Sequence, residues 1–133
     1  MTKRKRQAGT ALVETALSLL LYTTIIFSLV DFGYIMYLHQ TLVERARAAA
    51  RYGSLNPTDT TGMKNMVLYY STTGSGVGLF GLTASNVSAA RAGSGTSADR
   101  VTVTISGYTF WGISPAVSKV GKPVTVSVPV ENN

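Results

Sequence analysis

Glu14 ends the stretch AGTALVE, residues 8 to 14, at the mouth of an almost unbroken apolar run, with Lys3, Arg4, Lys5 and Arg6 just ahead of it. A carboxylate beside hydrocarbon is costly to keep charged and needs a cation. One source is the basic block, where Lys5 or Arg6 could neutralise an interfacial acid that the dipole of a helix N-terminus also favours. Another is a cation brought by a different chain. Gly9, five residues earlier, matters for its missing side chain, which lets an extended backbone come close to whatever binds it.

Other chemistry thins out quickly. The chain has no cysteine, so neither a disulfide framework nor a thiolate metal site can form. Its one histidine, His39, falls where the apolar run ends and reads as an interfacial polar residue. Beyond residue 53 the acids are Asp59, Asp99 and Glu131, with no histidine among them. Hydrolytic, redox and metal chemistry need convergent groups, so no enzyme, cofactor, metal or small-molecule substrate is expected. GSGVG, residues 74–78, lacks the following lysine and the preceding strand of a phosphate-cradling loop. Asn86-Val87-Ser88 matches the glycosylation acceptor, a pattern common by chance.

The net charge of +6 invites a nucleic-acid reading. Four of the basic residues lie in the first six positions, and the remaining eight basic and six acidic residues leave only +2. A phosphate-binding surface needs Lys and Arg spread over one folded face. No nucleic-acid partner is expected.

The element that must position Glu14 is a helix in a membrane. Residues 15–30 carry no charge, and apart from Asp31 the apolar character continues to Leu38. At about 1.5 Å per residue, Ala11 to Leu38 makes roughly 40 Å of helix, enough for a hydrocarbon core of about 30 Å. The rest of the chain is too poor in large apolar residues to wrap such a helix. No small-x-small cleavage site follows the run, where the sequence reads LVDFGYIMYLHQ, so a cleaved secretory signal is disfavoured. TLVERARAAARYG, residues 41–53, is rich in helix formers, with Gly53 as a C-terminal stop, so one helix is expected from about residue 10 to about residue 52. Basic residues flanking a first span stay in the cytoplasm, which puts the C-terminal part outside.

Three features of this helix have two readings each. Asp31, near the outer end of the span, either snorkels to the interface or pairs with an arginine such as Arg45 of another subunit. Ala46, Ala48, Ala49 and Ala50, among Arg45, Arg47 and Arg51, either allow another helix to approach closely or form a solvent-facing extension chosen for helix propensity. The helix itself either joins an assembly or anchors a monomeric binding module that is never cleaved.

A short basic leader ending in Gly9, then Glu14, then a long apolar helix resembles the processing site of type IV prepilins and pseudopilins. The pattern GTALVETAL, the triplet Asp31, Phe32, Gly33 and the stretch ERARAAARYG narrow the resemblance to the TadE-like family of tight-adherence (Tad) pilus assembly proteins, over roughly residues 8–53. This implies a minor pilin or pseudopilin in a bacterial inner membrane, with a single span. A prepilin peptidase would cut between Gly9 and Thr10, removing residues 1–9 and their positive charges. The new amino group of Thr10 would supply the cation for Glu14, and Glu14, Asp31, Arg45 and Arg51 would contact other pilin subunits through the N-terminal helix.

After Gly53 the texture changes. SLNPTDTTG reads as a turn or linker, and Met63, Met66, Val67 and Tyr70 have helical spacing within residues 63–70. Residues 71–81 form a Gly-rich loop, closing a region of linker, short helix and loop over 54–85. NVSAARA (86–92), RVTVTISGYTF (100–110) and PVTVSVPV (123–130) alternate as strands, with GSGTSAD as a hairpin loop. The expected fold is α+β, an antiparallel sheet of about three strands over 86–133 packed on the C-terminal half of the long helix. Tyr108, Phe110 and Trp111 form an aromatic cluster, suited to the helix–sheet core or, if exposed, to adhesion.

Overall fold

The computed structural model describes the backbone of residues 3–113 and 119–131, and the side chains of 9–113 and 120–131. Helix α1, Lys3–Leu55, runs unbroken for 53 residues. It therefore starts within the basic leader rather than after it. It stops at Asn56-Pro57, because proline has no N–H to donate and its ring clashes with the preceding turn. The Asn56 N–H closes the last turn on the Tyr52 carbonyl at 3.0 Å.

Gly53 does not end the helix. It is buried, and a Cβ there would lie 2.6 Å from Met63 Sδ and 2.8 Å from Val101 Cγ1. The glycine lets α1 touch both the second helix and the sheet. That second helix, α2 (Thr60–Tyr69), begins three residues earlier than its apolar spacing indicates, because Asp59 caps it: its Oδ1 accepts the Gly62 N–H at 2.8 Å.

Two single-turn 3₁₀ segments, Leu79–Gly81 and Ala84–Asn86, lead into strands β1 (Val87–Ala92) and β2 (Arg100–Ile105), then β3 (Thr109–Phe110), β4 (Lys119–Val120) and β5 (Val124–Pro129). The main sheet has the order β1-β2-β5, antiparallel throughout. Its register sets Val103 opposite Ala89 on one side and Val126 on the other, so the apolar residues of all three strands share one face. That face covers α1 and α2. Val101, Val103 and Ile105 are fully buried together with Leu42, Ala46, Ala49, Met63 and Val67, each large side chain contributing about 1.5–3 kcal/mol. The opposite face is a ladder of hydroxyls, with Thr102 Oγ1 donating to Ser127 Oγ and Thr104 Oγ1 bonded to Thr125 Oγ1, both at 3.1 Å. The fold is α+β, as the alternation implied.

Two differences matter for function. The long strand read over 100–110 breaks at Ser106-Gly107, where Gly107 has φ +68° and the Asn86 amide donates to both Ser106 and Gly107 carbonyls. The chain then turns into a separate two-stranded ribbon in which β3 pairs with β4, Thr109 opposite Val120. The aromatic cluster is divided by this break. Tyr108 is buried and its hydroxyl donates to the Lys122 carbonyl at 2.8 Å, Phe110 is half-buried, and Trp111 is 75% exposed.

Candidate functional site

The two halves of α1 live in different surroundings. From Gly9 to Val30 every residue is exposed except half-buried Thr23, and nothing else in the described chain packs there. At about 1.5 Å per residue this bare stretch is roughly 33 Å long, close to the ~30 Å of a bilayer's hydrocarbon core. Its surface is leucine, isoleucine and phenylalanine, an apolar helix long enough to cross a membrane. Four of the hydroxyls within it are satisfied locally: Thr15, Thr23, Thr24 and Ser28 each donate to the carbonyl four residues back at 2.8 Å. That leaves no hydroxyl proton of these four facing hydrocarbon.

Glu14 is exposed on this bare half, with Gly9 and Thr10 exposed just ahead of it. A Cβ built at Gly9 meets nothing within 4 Å. The fold has no packing need for glycine there, although glycine in a helix costs about 1 kcal/mol against alanine. The backbone at Gly9 is helical, so presenting it in extended form requires the first turns of α1 to unwind.

Asp31 marks the end of the bare stretch and is itself buried, 4% exposed. Its Oδ1 accepts the backbone N–H of Ile113 at 2.6 Å, a contact between residues 82 apart in sequence. Arg45 lies fourteen residues farther along, about 21 Å up the same helix, and the two do not meet within one chain. The Arg45 guanidinium instead stacks over the Tyr70 ring, 4.5 Å from its centroid, with Nη1 buried and without a hydrogen-bond acceptor among the described residues. Tyr70 reaches it by taking a left-handed conformation, φ 57°, at the C-cap of α2, a geometry that disfavours side chains. Arg51 and His39 are exposed. Ala46, Ala49 and Ala50 are fully buried against the chain's own α2 and sheet, so the small residues bring α1 close to its own domain.

Two carboxylates hold the C-terminal domain through side-chain partners. The Tyr52 hydroxyl donates to Asp59 Oδ2 at 2.7 Å; this bond, together with the Gly62 N–H, lowers the Asp59 pKa, and the same bond raises that of Tyr52. Arg91 clamps Asp99 through Nε at 2.9 Å and Nη2 at 2.5 Å, lowering the Asp99 pKa, with help from the Gly95 N–H. These pairs close a helix cap and the β1–β2 turn. Among the described residues no group of three His, Cys, Asp or Glu could hold a metal ion.

What decides the class is the helix, and residues 9–51 match the family model for TadE-like protein. The segment is similar to that family. The matched segment takes in the bare half with Glu14 and the packed half with Arg45 and the alanines. The sheet and the ribbon lie outside it. Comparison with curated proteins and with solved structures finds no match. Sequence reasoning found the helix and its carboxylates but missed the partners of Asp31 and Arg45, because neither Ile113 nor Tyr70 carries a local signal that points back to α1.

Proposed function

We propose that the chain is a minor pilin or pseudopilin of a Tad-type pilus. It enters a bacterial inner membrane through α1, with the basic leader in the cytoplasm and the sheet domain outside. A prepilin peptidase cuts after Gly9, and the trimmed helix then joins other pilin subunits. The observation that carries this reading is the bare helix of bilayer length with one carboxylate near its N-terminal end, inside a TadE-like segment. Glu14 supports it further: an ionised acid among apolar side chains needs a cation in any dry environment, and the amino group released at Thr10 of a neighbouring subunit is suited to provide one. Gly9 supports the cut, since a Cβ there would meet nothing within 4 Å among the described residues.

Co-expression with a prepilin peptidase tests it. The mature chain should begin at Thr10, shorter by nine residues, as read by intact-mass measurement. Gly9→Leu should leave it full length. A wild-type chain that stays uncut under conditions where a known prepilin is processed would refute the processing step.

A further inference from the structure

The β3–β4 ribbon carries a group of exposed apolar residues that the domain's own core does not use. Trp111 is 75% exposed, Ile113 58% and Val120 67%. The ribbon is fixed in place by the Ile113 N–H, which bonds Asp31 one residue past the last bare position of α1. It therefore sits at the level where the helix leaves the hydrocarbon. The helix at that level presents Tyr34 and Tyr37, 40% and 61% exposed, about 4.5 and 9 Å above Asp31. Between ribbon and helix an apolar cleft of about 350 Å³ is lined by Ile35, Met36, Phe110 and Val120, with the exposed Lys122 at its edge.

A tryptophan two residues from Ile113 and two tyrosines within about 9 Å above Asp31, with aliphatic side chains and a lysine beside them, make the composition of a membrane–water interface, where amphipathic rings rest among the headgroups and lysine reaches the phosphates. We infer that the β3–β4 ribbon is a lipid-binding element: Trp111, Ile113 and Val120 insert into the headgroup–acyl boundary of the outer leaflet, beside the point where α1 emerges. The bilayer is favoured over a second copy of the chain as the occupant because the patch is continuous with the bare span and begins where it ends. With the ribbon seated in lipid, Asp31 is screened from the acyl chains by Ile113 and held against a backbone donor. The inference rests on the reading of α1 as a span.

Trp111 is the only tryptophan, so its fluorescence reports this site alone. The full chain is reconstituted into phosphatidylcholine–phosphatidylglycerol vesicles. Trp111 emission should shift to the blue, lose several-fold in quenching by aqueous iodide, and be quenched more by lipids brominated near the headgroup end of their chains than near the methyl end. An Ile113→Asp/Val120→Asp double variant, altered only at exposed positions, should restore iodide access. A Trp111→Phe/Leu20→Trp chain reports the span separately and should be quenched best by bromines near the methyl end. Deep quenching at position 20 with Trp111 freely open to iodide would overturn the ribbon proposal while leaving the span intact. Absence of deep quenching at position 20 would overturn the span, and the ribbon proposal with it. Protection of Trp111 that arises only in assembled filaments would also overturn it, in favour of a subunit contact.

Discussion

Asp31 and Ile113, 82 residues apart, meet through a 2.6 Å hydrogen bond from the Ile113 N–H to the Asp31 carboxylate. The bond joins the end of the bare helix to the ribbon. An acid at this point of an apolar helix is therefore provided for within its own chain.

Removing that acceptor should loosen the ribbon without unfolding the sheet. A hydrogen bond to a charged group contributes about 1.5–3 kcal/mol, so Asp31→Ala should speed amide exchange at Ile113 by about tenfold to a hundredfold. Asp31→Asn, which keeps a carbonyl oxygen, should cost less. Exchange read by mass spectrometry checks both. Equal rates in wild type and Asp31→Ala would show that the bond does not hold the ribbon.

Glu14 is expected to act only after processing. Glu14→Ala should insert and be cut after Gly9 like the wild type, yet fail to join filaments, because nothing among the described residues packs on that part of the helix. Immunodetection in sheared pili measures incorporation. Normal incorporation of the alanine variant would rule out the pairing with Thr10.

Gly53 should tolerate no side chain. The Met63 thioether could swing away from a new Cβ, but Val101 is fully buried and stiff at χ1. Gly53→Ala should lower stability by about 1–3 kcal/mol, visible as a lower Tm of the detergent-solubilised chain. An unchanged Tm would mean that helix and sheet separate there without cost.

Acid should weaken the C-terminal domain. The folded pKa values of Asp59 and Asp99 lie below the ordinary carboxylate value, so the folded state binds fewer protons than the unfolded one as that range is crossed. Their contribution is complete above about pH 5 and is lost as pH falls through about 4 toward the lowered folded values. Tyr52 adds the opposite limb: its pKa is raised, so its contribution holds below about pH 10 and is lost above it. Tyr52→Phe should flatten both limbs in a plot of Tm against pH, and Asp99→Asn the acid limb alone.

Much of this architecture was legible in the residues. Val101, Val103 and Ile105 alternate because one face of β2 is buried, and the uncharged run 15–30 is visible without coordinates. The ends of elements were less legible where tertiary contacts set them. Gly53 reads locally as a helix stop, yet its small size serves a crossing with Met63 and Val101. The alanines at 46–50 suit any close helix contact, and only the sheet's position shows that their partner is the chain itself. For the site, Gly9 and Glu14 stood out by type and spacing. The ribbon did not, because a two-residue strand has too short a period to detect and its anchor is a backbone N–H, which every non-proline residue carries.

Because α1 passes from the bare stretch into the domain core with no break, the sheet has no swivel of its own. Each helical residue rotates the chain beyond it by about 100°, so adding a single residue between Val30 and Leu38 would swing the hydroxyl ladder of the sheet to a new side of the molecule. In a fibre, the azimuth at which the helices pack would then decide which face every subunit shows to the outside. The N-terminal segment acts as an axle keyed to its wheel.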